Sequence, residues 1–231
     1  TDYQTIANGD FQFGTNEKEA ADYPVYTGIS WSKSNDSVSS TSATSSSYPS
    51  GIIDTNDDVY KEIFTDSIEH TPTTNPYTPS YYGLVKNEYV YSEDNEDKND
   101  ENKYPTLGTK ILMIHNYLKS EKGKGTAQKF TSSTTVTVEN YGKISVWVKT
   151  DNLTTKTETK EFGAYISLTN NAGEQKSPLT VRNINTNGVW ERYDLYVEAS
   201  SYSTSKVKVV LGLGSGSRNL TDGYVEGFAI T

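Results

Sequence analysis

His70 and His115 are the only imidazoles in the chain, and neither has a Ser-His partner or metal-ligand spacing around it. His115 stands in "LMIHN", an apolar strand-like run where a hydrogen-bonded structural histidine is the simpler reading. Cysteine is absent, which removes disulfides, thiolate nucleophiles and Cys-based zinc sites together. Glycoside hydrolysis needs two carboxyl groups set by distance in space, and nothing in the sequence singles out two of the 30 acids. "GLGSGSRN", Gly212 to Asn219, imitates a phosphate loop but lacks the Lys and the following helix, so it reads as a hairpin turn. "SEDNEDKNDENK", Ser92 to Lys103, sets six acids against two lysines. It lacks the central Gly and the terminal Glu of a calcium loop in register, and a solvated charge run explains it. No catalytic constellation emerges, and the chain reads as a non-enzyme.

Aromatic rings beside amides and charges are what the sequence does supply. A pyranose face stacks on such a ring while its hydroxyls bond to polar side chains, so the composition points to carbohydrate. Trp31 lies among polar residues in "YTGISWSKSND", an exposed-looking context. Tyr81 and Tyr82 close a stretch broken by Pro72, Pro76 and Pro79, which reads as a loop. Tyr117 follows "KILMIH", with Asn116 and Lys119 beside it to reach hydroxyls. Trp147 faces outward by alternation against Ile144, Val146 and Val148. These seven residues form the candidate sugar-binding set. The competing reading of each ring is packing of a loop onto the sandwich edge or, for Trp147, cover by a second layer. The net charge of −9 argues against nucleic acid, whose binding rests on clustered Lys and Arg, and against anionic lipid. No apolar run is long enough to span a bilayer.

The elements that must position these residues are strands. "KISVWVKT", "FGAYISLT" and "KVKVVLGLG" each alternate apolar residues, placing Ile144, Val146 and Val148, then Ala164, Ile166 and Leu168, then Val207, Val209, Leu211 and Leu213 on inner faces. "KILMIH" is apolar on both faces, as a central, doubly buried strand would be. "ANGDFQFG" reads as a turn entering a first strand through Phe11 and Phe13. In "NGVWERYDLYVEAS", Tyr193, Leu195 and Val197 form the core face, and Trp190 falls on the other by strict counting. Asp57 to Ile68 holds the best helical pattern, a short one. Regular short strands with turn signals between them predict an all-β antiparallel sandwich or barrel in a single domain, residues 1–231, with a long loop-rich insertion at about 54–105.

The order "NGDF", "KILMIHN", "YGKISVWVKTDNL", "NGVWERYDLYVEAS" and "GYVEGFAIT" resembles the jelly-roll, galactose-binding-like carbohydrate-binding modules. More loosely, it is similar to starch-binding modules of cell-surface starch-adherence proteins of gut Gram-positive bacteria. The resemblance implies a last strand returning beside the first, and Trp190 as a ring closing the open end of the sandwich. It implies a non-catalytic, monomeric, extracellular module that binds starch-type α-glucan. It also implies a structural calcium, for which Asp10 and Glu226 would be the matching acids, although the family has Asp where Glu226 stands. The alternative from another class is a structural or adhesive spacer with no glycan ligand. The chain opens on Thr1 and closes on a strand-like end, so it is expected to be one piece of a longer surface protein.

Overall fold

The computed structural model describes residues 6–20, 23–28, 30–35, 51–54, 56, 80–82, 84–90, 110–115, 128–137, 141–154, 163–170, 180–198, 206–213 and 222–230. Within them every regular element is a strand: β1 (Gly14–Ala20), β2 (Tyr23–Gly28), β3 (Trp31–Asn35), β4 (Gly51–Asp54), β5 (Ser80–Tyr82), β6 (Leu84–Val90), β7 (Lys110–His115) and β8 (Gln128–Ser132). The series continues with β9 (Val136–Thr137), β10 (Tyr141–Thr154), β11 (Ala164–Asn170), β12 (Thr180–Ile184), β13 (Glu191–Glu198), β14 (Lys206–Leu213) and β15 (Asp222–Ile230). The larger sheet runs β1-β2-β4-β7-β15-β10-β13-β6, the smaller β3-β8-β14-β11-β12-β5, with β9 also paired to β14. Every described pairing is antiparallel. The protein is an all-β antiparallel sandwich, as the alternation predicts.

One apolar cluster joins the two sheets. Leu112, Ile114, Ile144, Val146, Val148, Tyr193, Leu195 and Phe228 of the larger sheet meet Phe130, Ala164, Ile166, Leu168 and the inner residues of β14. Each fully buried aliphatic side chain contributes about 1.5–3 kcal/mol relative to exposure, so this layer supplies the main drive for folding. β7 sits between β4 and β15, and Ile111 to Ile114 are buried without alternation. That is the doubly buried central strand read from "KILMIH".

Three expectations need correcting. The last strand does not return beside the first, because β7, β4 and β2 stand between β15 and β1. The stretch 54–105 is not wholly irregular, since β5 and β6 each form the edge of one sheet. The prolines at 72, 76 and 79 end before β5, and its Ser-Tyr-Tyr pairs with Thr180–Arg182 of β12. "GLGSGSRN" is no hairpin either, for β14 belongs to the smaller sheet and β15 to the larger, so the connection crosses between layers. The helical pattern at 57–68 and the acidic run at 92–103 lie outside the described residues. No helix among the described residues is long and apolar enough to cross a membrane.

The β12-to-β13 crossing shows how such a connection is held. Asn187 and Gly188 have φ of 48° and 83°, and Val189 N–H donates to Thr186 O at 3.3 Å, the positive-φ pair of a type I′ turn. Thr150 N–H donates to Thr186 Oγ1 at 2.8 Å, and Thr186 N–H donates to Thr150 Oγ1 at 2.7 Å. Gly188 N–H adds a bond to Thr150 O at 2.7 Å. Both threonines are buried. They sit where β10 departs from regular pairing with β15, between Lys149 and Thr150. A buried backbone N–H left without an acceptor costs about 1–3 kcal/mol. Thr186→Val should therefore destabilise the fold by about 1–3 kcal/mol, while Thr186→Ser retains most of the stability, as read from urea-unfolding midpoints.

Candidate functional site

The turn before β1 carries the most exposed large apolar side chain among the described residues. Phe13 is 67% exposed. Its backbone is nevertheless fixed at both polar atoms, because Phe13 N–H donates to Asn8 Oδ1 at 2.9 Å and Asn8 Nδ2 donates to Phe13 O at 2.6 Å. The Asn8 side chain thus plays the part of a neighbouring strand. Asn8 O accepts from Phe11 N–H at 3.1 Å and from Trp31 Nε1–H at 3.0 Å. Gln12 fastens the turn to the larger sheet: its Nε2 donates to Lys110 O at 2.8 Å, and Lys110 N–H donates to its Oε1 at 3.3 Å. Asp10 is exposed on the same turn, with Oδ1 accepting a long bond from Gln12 N–H at 3.4 Å. A flat apolar ring and a carboxylate are therefore presented to solvent on a pre-organised frame, and such preorganisation lowers the entropy lost on binding.

Sequence reading missed Phe13 as a surface group because alternation puts Phe11 and Phe13 on one face. Phe11 adopts φ of 60°, which breaks the alternation and sends its ring into the core against Trp31, with ring centroids 5.2 Å apart. The signal available was "NGDF" itself, whose Asn-Gly step announces a turn through positive φ.

The described members of the predicted sugar-binding set stand apart from one another. Trp31 is 5% exposed, closed over by Phe11 and spent on Asn8 O, so it offers no ring face to a ligand. Its polar sequence neighbours gave the opposite impression because β3 is an edge strand that alternates between layers. Trp147 does face away from the inner layer, yet it is 2% exposed and equally closed to ligand. Tyr81 and Tyr82 stand in β5, opposite Val181 and Thr180. β5 and β3 are the two edges of the smaller sheet, five inter-strand steps or about 24 Å apart, so Trp31 and these tyrosines cannot form one platform. Asn116, Tyr117 and Lys119 lie outside the described residues.

The two acids proposed for calcium stand on different elements, Asp10 in the turn before β1 and Glu226 in β15. Glu226 stands in β15 between its pairings to Ile114 and Leu112, whereas the Asp10 turn is tied to Lys110 at the start of β7. Among the described residues no group of three or more His, Cys, Asp or Glu gathers as a metal site.

Two polar groupings on β13 complete the chemistry. Fully buried Asp194 accepts from Ser145 Oγ at 2.7 Å and from Arg192 Nη2 at 3.1 Å. Glu191, at the head of the strand, accepts from Tyr193 Oη at 2.8 Å. Burial raises the Glu191 pKa from 4.5, and the Tyr193 hydrogen bond partly opposes the rise. Trp190, 8% exposed, precedes Glu191 as a buried ring at the entrance to the strand, in keeping with a packing role.

No family model matches this chain, and no curated protein matches it. Among solved structures, it is similar to the enzymatically active domain of tailspike protein 4 of bacteriophage CBA120, at 15% identity and a TM-score of 0.34. The match covers 67% of this chain and 19% of the tailspike chain, so this chain spans about a fifth of that protein's length.

The raised Glu191 pKa gives a signed expectation. The folded state holds the proton more tightly than the unfolded chain, so the residue's contribution is most favourable below the ordinary value of 4.5 and declines as pH rises through the folded pKa. Glu191→Gln keeps an acceptor for Tyr193 and removes the buried charge. It should raise the melting temperature at neutral pH and leave it nearly unchanged in acid, as measured by thermal unfolding across pH.

Proposed function

We propose that this chain is a non-catalytic glycan-binding module of an extracellular protein, with starch-type α-glucan as its ligand. The observation that carries this reading is Phe13: a ring two-thirds exposed, locked at both backbone polar atoms, with the Asp10 carboxylate on the same turn. Ring stacking against a sugar face and a carboxylate accepting hydroxyl hydrogen bonds are the two contacts such a ligand requires. The described carboxylates include a buried one bonded to Ser145 and Arg192 and another bonded to Tyr193, which leaves them in structural use and supports a module without hydrolytic chemistry.

A structural spacer is the second reading, and a specific observation favours it. All three tryptophans are buried, and Asn8, Thr150 and Thr186 are spent on fastening a turn and a connection between strands.

Calorimetry with maltooligosaccharides and pull-down on insoluble starch separate the two, with a glycan array for other sugars. Phe13→Ala should weaken binding about tenfold or more, about 1.4 kcal/mol, while an exposed ring leaves the melting temperature nearly unchanged. Silence across the array selects the spacer reading. Release of reducing sugar from the polysaccharides would overturn the non-catalytic assignment.

A further inference from the structure

The chain contains two Asn-Gly steps, Asn8-Gly9 and Asn187-Gly188. Both are open to the same spontaneous chemistry. The backbone nitrogen of the glycine attacks the side-chain amide carbon of the asparagine, and loss of ammonia closes a succinimide ring. Water then opens the ring to aspartate or isoaspartate, with no oxidant, reductant or enzyme required. Glycine favours the reaction because it has no side chain to obstruct the attack.

The fold treats the two steps differently. At Asn8 both reacting partners are held: Gly9 N–H donates to Ile6 O at 3.0 Å, and the side-chain amide is bonded through Oδ1 and Nδ2 to the Phe13 backbone. At Asn187 only the nucleophile is held, by the bond from Gly188 N–H to Thr150 O. Asn187 itself is exposed, and its own N–H donates to Asn185 Oδ1 at 3.2 Å. The electrophilic amide of Asn187 is thus presented to water on a tight turn, whereas that of Asn8 is clamped.

We propose that Asn187 is the site of spontaneous deamidation in the folded protein and that the Asn8 clamp protects the other Asn-Gly step. The inference is independent of the glycan reading. Conversion of Asn187 places a new carboxylate at the crossing between the sheets. In the isoaspartate form it also inserts a backbone methylene beside the Gly188-to-Thr150 bond. Conversion of Asn8 would replace the amide donor facing Phe13 O with an oxygen, and so release the ring that the clamp presents.

The test is peptide mapping by mass spectrometry of protein aged at mildly alkaline pH, folded and in denaturant, with Asn187→Gln to confirm the assignment. Two extra hydrogen bonds at the Asn8 amide predict about thirtyfold faster modification at Asn187 than at Asn8 in the folded protein. In denaturant the two rates should approach each other. Equal rates in the folded protein, faster reaction at Asn8, no reaction at Asn187, or a rate ratio unchanged by denaturant would each overturn the proposal.

Discussion

A two-sheet sandwich must pass its chain from one layer to the other, and each crossing strips backbone N–H and C=O groups of their strand partners. Buried groups of this kind have to be satisfied, and this protein satisfies them with short polar side chains that imitate a missing strand. Thr150 and Thr186 do so reciprocally at the β12–β13 crossing. Away from the crossings, side chains serve backbone groups in the same way: the Asn8 amide for Phe13, the Gln12 amide for Lys110, and Ser132 Oγ for Val209 N–H at 3.0 Å. The device thus serves one crossing between the sheets and also fastens a turn to β7 and β8 to β14 within a single sheet. It also explains how a chain with only 33% hydrophobic residues sustains two layers, because Thr, Ser and Asn serve as joints as well as surface.

Side-chain joints of this type have consequences for what can be displayed. The Asn8 clamp fixes Phe13 without burying it, so an aromatic ring can face solvent while the backbone beneath stays rigid. The same asparagine carbonyl receives the Trp31 indole N–H, which ties the exposed ring to the core. Display and packing are therefore one structure at this turn. At Gly212 the logic is reversed: Tyr165 stands directly opposite, and a Cβ there would fall 2.2 Å from the tyrosine ring. The missing side chain lets the buried ring lie flat against the strand.

Strands and their inner faces were legible in the sequence because period-two alternation is a local signal. Ile144, Val146 and Val148, like Val207, Val209, Leu211 and Leu213, fell on the core side as counted. Connectivity was not legible, since which strand pairs with which depends on contacts far apart in the chain. That is why the β14–β15 connection passed for a hairpin, while the expectation of β15 beside β1 came from the family resemblance alone. The site was the least legible part. Polar neighbours made Trp31 look exposed, but an edge strand of a sandwich has an inner face too, and its indole needs only one carbonyl to be buried at low cost. Phe13 looked internal because one residue with positive φ, Phe11, is invisible to counting by twos.

Alternation also carries a second assumption, that the face turned away from the core is wet. Along β10 and β13 it is so only at one end, where Lys143 and Tyr196 are exposed. Further along, Ser145, Trp147 and Asp194 are all buried, and Arg192 is mostly so, with the Arg192–Asp194 pair bonded at 3.1 Å. Taking a carboxylate fully out of water costs several kcal/mol unless its oxygens are bonded, and here Ser145 and Arg192 each take one. All three groups lie on one face of neighbouring strands, with Ser145 opposite Asp194, so the carboxylate is satisfied within the sheet itself. The turn before β1 differs, for there Asn8 holds Phe13 in the open.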